Sequence, residues 1–363
     1  MNKLLFVRYK KSKNILEGGE QGSQKNYNVL AKILGEGNID TIYVHDENVK
    51  RTPADYIRGL VYIVFDYFFG LTPARVADIV GKADEYDYLF IDRSIFGIIA
   101  KKARQRGYKG QIICFFHNVE KFYFNDKLSK YVPWRKLVIR CADKNDKYSC
   151  TYADKIIALN ERDKTLIEKC YGRKADVLIP VAFKDKYKMD SYPTELTNSK
   201  PLCVFLGGYF PPNNEGIEWF VKNVYPHVNV SIRIVGKGMN KIRSHGFITP
   251  EIEVVSDAPD LLPHFEEADI MVLPIFKGAG MKVKTCESLM YGKNIIATDE
   301  AFEGYALDYS KVGGKCNTAD EFISLIHDFE SNPRPRFNAY SRSIFLEKYS
   351  EEAVEERFSE VLN

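Results

Sequence analysis

Short apolar runs recur along the chain at helix-length intervals, and one polar stretch divides them into two series. "KLLFVRY" reads as a strand, a polar glycine-rich loop follows, and "SQKNYNVLAKIL" reads as a helix. Further strands are expected at residues 88–92, 111–116 and 155–159, with a helix ending before Gly107 between the first two. Thr52-Pro53 and Thr72-Pro73 are helix starts on this reading, with threonine as the cap and proline at the first helical position. Strand and helix alternating in this way build a mostly parallel, doubly wound α/β sheet. Residues 184–200, "KDKYKMDSYPTELTNSK", have no apolar period and read as a linker. Beyond them "LCVFLGG", "SIRIVG", "IEVVSD", "DIMVLPIF" and "NIIATD" restart the rhythm. Two α/β domains are therefore expected, over residues 1–183 and 201–344, with the segment 345–363 packing back on the first. Thr318 and Glu321 make a capping box before "FISLIHDF", and a last helix is expected at about 351–362.

A chain of 363 residues, 45% of them hydrophobic, has apolar material for two such cores. Its net charge of +3 argues against a dedicated nucleic-acid binder that works by neutralising phosphates. Seven cysteines without metal-site spacing, behind the non-secretory start "MNKLLFVRYK", point to a reducing, cytoplasmic setting. The most lipid-like run, "YIRGLVYIVFDYFFGL" at 56–71, contains Arg58, Gly59 and Asp66 and falls short of the roughly 20 apolar residues a span needs. It is read as a core helix in preference to a lipid-facing one. Residues 121–147 mix eight basic residues with Phe122, Tyr123, Phe124, Tyr131 and Trp134. Such a surface either is a solvated face or rests peripherally on an anionic membrane.

The stretch most suggestive of chemistry is "FKGAGMKVKTCESLMYGKNIIATD", residues 276–299. A strand ends, a glycine-flanked turn follows, and a helix is expected from near Met281 to near Gly292. In an open α/β sheet the ligand crevice lies at the carboxyl ends of the strands, and a helix start there favours a phosphate. Lys284 and Glu287 share a helix face one turn deep. A cation for a diphosphate beside a carboxylate for two sugar hydroxyls suits a nucleotide. Lys282 lies about 200° around a regular helix from Lys284, so it joins the same anion only from an irregular first turn. The same spacing also describes a surface lysine–glutamate pair, and both readings stand on this motif alone.

Taken together these residues resemble retaining glycosyltransferases of the GT-B fold, in particular the family 4 class that includes bacterial capsule and exopolysaccharide enzymes. "GAGMKVKTCESLMYGKNIIAT" is similar to that family's donor-site signature, and "LGGYFPPNNEGIEWFVKNVYP" to the first segment of its donor domain. "EGGEQGSQKN", "FFHNVE" and "ALNERD" agree in the same order. The resemblance implies two Rossmann-like domains facing each other across a cleft. It implies that Glu287 binds the donor ribose, Lys284 the diphosphate, and the amides of Gly280 and Met281 the phosphates or sugar. Gly18 and Gly19 would form a loop beneath the donor and His117 would lie near the transferred sugar. Gly208 would follow the first donor-domain strand, and the strand end from Val255 and Ser256 to Ala258 would flank the base through main-chain contacts. The implied reaction moves a hexosyl group from a UDP- or GDP-sugar to a saccharide or lipid-linked acceptor with retention, in surface polysaccharide or glycoconjugate synthesis. No Asp-x-Asp motif is present, so neither a metal nor another cofactor is expected.

Other readings stay open at this point. His117 could be a hydrogen-bonded structural residue, and Gly18-Gly19 a plain turn. Ala279 stands where many relatives have a first glutamate, and Gly208 where many have an arginine. Both keep open a non-catalytic, transferase-like accessory subunit. A nucleotide-sugar epimerase is a weaker alternative, and a nicotinamide dehydrogenase would need a G-x-G-x-x-G turn that neither "EGGEQGSQ" nor "VGKGMNK" supplies.

Overall fold

The computed structural model describes residues 2–10, 18–45, 52–68, 70–187, 194–198, 200–278 and 281–363. Strands β1 (Leu4–Lys10), β2 (Ile39–His45), β3 (Tyr88–Ile91), β4 (Gln111–Phe116), β5 (Lys155–Ala158) and β6 (Val177–Leu178) form a sheet in the order β2-β1-β3-β4-β5-β6. Every pairing in it is parallel. Its interior strands are apolar without a break because both faces are covered. Leu5, Val7, Leu89 and Ile91 enter one core, and Leu4, Phe6, Phe90 and Phe115 the other, in the two-residue alternation of a pleated strand.

The second sheet contains β7 (Leu202–Leu206), β8 (Ser231–Gly236), β9 (Ile252–Ser256), β10 (Ile270–Leu273), β11 (Asn294–Ala297) and β12 (Gly313–Lys315). Its order is β12-β11-β10-β7-β8-β9, again all parallel. In both sheets the strand order reverses beside the first strand, at β1/β3 and at β7/β10, where an α/β sheet opens a crevice.

The chain divides into a unit of Met1–Ala182 with Val354–Asn363 and a unit of Phe183–Ala353. The expected linker is shorter than its composition implies. Asp185 takes a two-pronged ion pair from Arg342, and the Tyr187 ring lies 5.1 Å from that of Tyr291, so this part of the segment belongs to the second unit. Likewise Phe345 and Tyr349 are buried in the second core, and only from Val354 does the chain return to the first. There Val354, Phe358 and Val361 of the last helix, Glu351–Leu362, pack among Phe90 and Phe115.

Three local outcomes refine the sequence reading. The first helix is Gly18–Leu34, so the expected glycine loop is partly helical. Gly22 within it lies against the His117 imidazole, which an added Cβ would approach to 3.3 Å. Thr72 and Thr318 cap their helices through Arg75 and Glu321 as their sequences imply. The run at 56–71 is not wholly a core helix: Ile63, Phe68 and Leu71 are buried, while Ile57 and Phe65 are exposed by 67% and 65%.

Gly97 fixes the approach of two helices. It opens the helix Gly97–Arg106, and a Cβ there would lie 2.0 Å from the Asn145 carbonyl oxygen of the helix Arg135–Tyr152. Backbone faces backbone, so neither side can yield cheaply. Gly97→Ala is expected to lower unfolding free energy by about 2 kcal/mol, read from the urea midpoint at unchanged slope.

Candidate functional site

In the second unit a cavity of about 510 Å³ opens at the carboxyl ends of β7, β8 and β9, against the helix Val283–Met290 that follows β10. Two glycines make room for it. A Cβ on Gly236 would lie 2.0 Å from the Gly207 carbonyl oxygen, and one on Gly207 would crowd Asn213, Lys284 and Phe205 at 2.9–3.1 Å. Gly208, Lys237, Asp257, Ala258, Lys284 and Glu287 are among the residues that line the space.

Lys284 is the central cation. Its Nζ donates to Asn213 Oδ1 at 2.6 Å and sits 4.8 Å from the centre of the Phe205 ring. Asn213 is held in turn, its Nδ2 donating to the Gly208 carbonyl at 2.8 Å. Burial, with the charge of Lys282 behind it, pulls the Lys284 ammonium down to about 8, while Glu287 pulls the other way. Lys282 itself does not line the cavity. It is the N-terminal cap residue of the helix, and its Nζ is drawn to Glu300 at 2.6 Å and Glu303 at 3.8 Å. Two lysines two positions apart diverge at this helix start, so only one serves the cavity.

At the far wall, Asp257 follows β9 in the left-handed region, at φ 57°. An aspartate tolerates this because its short side chain bonds locally. Its carboxylate takes the Ser256 hydroxyl and the Gly238 amide, which together hold it below the usual carboxylate range. Of the expected strand end from Val255 and Ser256 to Ala258, Asp257 and Ala258 line the cavity. Met281 packs against the second core, and Gly280, like Ala279, lies outside the described residues. Asn213 and Lys237 were not among the expected site residues. The polar ends of "LGGYFPPNN" and "IVGKG" are their only sequence trace.

His117, Gly18 and Gly19 belong to the first unit. His117 follows β4 and is buried, with Nε2 3.4 Å from Asp92 Oδ1. Asp92, fully buried after β3, also accepts from Asn26 at 3.0 Å and from Ser23. Burial opposes its ionisation, but the His117 charge and these hydrogen bonds outweigh it and hold the carboxyl below its usual range. Glu120, one turn on, is pushed up to about 7 by burial, against the pull of Arg93 and His117. Among the described residues no group of histidine, cysteine, aspartate and glutamate is placed to hold a metal ion. All seven cysteines are free, six of them buried.

Residues 200–322 match the family described as Glycosyl transferases group 1. The whole chain is similar in structure to Anabaena HepE solved with UDP, at 14% identity over 99% of each chain and a TM-score of 0.63. It is equally similar to the apo form of the lipopolysaccharide outer core galactosyltransferase WaaB, at 15% identity over 99% of each chain and a TM-score of 0.63. Apo OtsA follows at 13% identity, 99% of each chain and a TM-score of 0.56. The fold is GT-B. The segment that matches the glycosyl transferases group 1 family falls in the second unit, and the cavity described above lies within it. No curated protein matches this GT-B chain by sequence.

The buried cation carries a stability cost that can be measured. Because the folded pKa of Lys284 lies below its ordinary 10.5, the folded state gives up this proton first, and the contribution of this group to stability rises with pH between about 8 and 10.5. Lys284→Met is expected to stabilise the fold by about 1–3 kcal/mol at neutral pH and to lose that rise, as read in urea titrations across the window.

Proposed function

We propose that the chain is a glycosyltransferase that binds a nucleotide-sugar donor in the cavity of its second unit and passes the sugar to a saccharide or lipid-linked acceptor. The observation that carries the reading is Lys284, a cation held by a neutral amide and facing Glu287 within a cavity at the carboxyl ends of parallel strands. The fold supports it: HepE, which shares that fold, was solved with UDP and with UDP-glucose.

On this reading the diphosphate lies against Lys284 and the first-turn amides of the helix Val283–Met290. Glu287 accepts the two ribose hydroxyls, and the base rests between the chain at Gly236-Lys237 and that at Asp257-Ala258, with Leu261 and Val283 as apolar walls. The sugar–oxygen bond breaks with its electron pair going to the diphosphate. Lys284 gains most when that negative charge is greatest, in the transition state. The acceptor hydroxyl oxygen forms the new bond on the same face, and its proton passes to the departing phosphate oxygen. Lys284 supplies the charge stabilisation, so the reaction is expected to need no metal. His117, oriented by Asp92, positions a sugar or acceptor hydroxyl. Synthesis of surface polysaccharide or glycoconjugate is the pathway class this chemistry fits.

Isothermal calorimetry with UDP, GDP and their sugar conjugates tests the donor site. One nucleotide is expected to bind without added metal, about tenfold or more weaker in Glu287→Ala. Near pH 8 binding should take up a proton, seen as a heat that varies with the buffer, because the phosphates recharge Lys284. If no nucleotide binds the folded protein, the accessory-subunit reading replaces this one. Turnover abolished by a chelator and restored by divalent ions would overturn the metal-free reaction.

A further inference from the structure

Asp257 is one of two non-glycine residues, among those described, with a positive φ. Such a position costs glycine least, yet here it carries a carboxylate that is exposed and lines the cavity. The chain fixes this carboxylate without exhausting it. Its Oδ1 accepts from the Gly238 amide at 3.1 Å and its Oδ2 from the Ser256 hydroxyl, one bond to each oxygen. The Asp257 amide donates to the Gly236 carbonyl at 3.2 Å, so the side chain springs from a tethered backbone. A carboxylate oxygen has two lone pairs, and one acceptor position on each therefore remains for a ligand. Lys237 and Lys241 act on Asp257 through their charge, but among the described residues it makes no ion pair.

Two adjacent acceptors call for two adjacent donors. Guanine has them, N1–H and the 2-amino group side by side on one edge, at a spacing that a carboxylate meets with two parallel bonds. Uracil offers N3–H alone between two carbonyls, so the second carboxylate oxygen would face a carbonyl oxygen. Cytosine and adenine each offer one amino group beside a ring nitrogen that only accepts. Of the four bases, guanine alone satisfies both oxygens of Asp257. Lys237, on the same side of the cavity, supplies a cation for the guanine O6 next to N1–H.

We propose, resting on the donor-site reading above, that the Asp257 side chain selects the base and that the donor is a guanosine diphosphate sugar. The carboxylate takes N1–H and the 2-amino group of guanine while Gly238 and Ser256 hold it in place. Its selectivity comes as much from rejection as from attraction. A pyrimidine or a purine without the amino group leaves one exposed oxygen of Asp257 facing an acceptor or nothing.

Calorimetric titration of the full chain with GDP, IDP and UDP tests it, because IDP differs from GDP only in lacking the 2-amino group. GDP is expected to bind about tenfold or more tighter than either. Asp257→Asn keeps a residue that tolerates positive φ and an oxygen for the Gly238 amide, so the loop is preserved. It turns one acceptor into a donor. The variant is expected to lose about tenfold or more toward GDP and to prefer xanthosine diphosphate, whose C2 carbonyl stands where guanine has its amino group. UDP or IDP binding as tightly as GDP would overturn the proposal, as would an Asp257→Asn variant that keeps the preference for GDP or weakens every nucleotide alike. If UDP is the nucleotide that binds and Glu287→Ala weakens it, the donor site stands and only the base assignment falls. If no nucleotide binds the folded protein, the donor reading fails and the base assignment with it.

Discussion

A lysine placed in a cavity with a neutral amide as its hydrogen-bond partner is the constraint around which the second unit is organised. Removing an ammonium from bulk water costs free energy that Asn213 and the Phe205 ring only partly offset, which is why Lys284 titrates near 8. A folded chain keeps such a group where something else gains from it. An anion with two or more charges is the partner that repays this cost, because it meets a cation already stripped of water and fixed in place.

The rest of the second unit serves that placement. Parallel strands end together, so the loops after β7, β8 and β9 converge on one spot. Gly207 and Gly236 let their backbones touch where any side chain would close the space. Glu300 and Glu303 hold Lys282 aside, leaving its charge close enough to depress Lys284 but out of the cavity. The first unit shows a related economy. Asp92 is buried and paired with His117, so the imidazole is oriented by a carboxyl that the His117 charge above all, with hydrogen bonds from Ser23 and Asn26, holds below its usual range.

Much of this was legible before any coordinates. Interior parallel strands are buried on both faces, so β1, β3, β4, β7 and β10 announce themselves as apolar runs. The strand β2 does not, because Asp40, Thr41 and Tyr43 dilute it at the sheet edge, and β12, Gly313–Lys315, has almost no side chain to read. The helix start at Gly18 was hidden because glycine disfavours helix locally. Lys284 and Glu287 line one cavity, and their alignment follows from one helix face after a strand end, both local features. Gly208 and Asn213 after β7, Lys237 after β8 and Asp257 after β9 reach the same cavity only because the sheet order brings those strand ends together. Lys282 diverged because its fate depends on two carboxylates 18 and 21 residues away in sequence.

The most direct test is amide hydrogen exchange with and without saturating UDP, repeated with GDP. The account predicts new protection at residues 206–208, 235–238, 257–261 and 283–287, for the nucleotide that binds. Protection confined to other segments, while a nucleotide binds tightly, would contradict it.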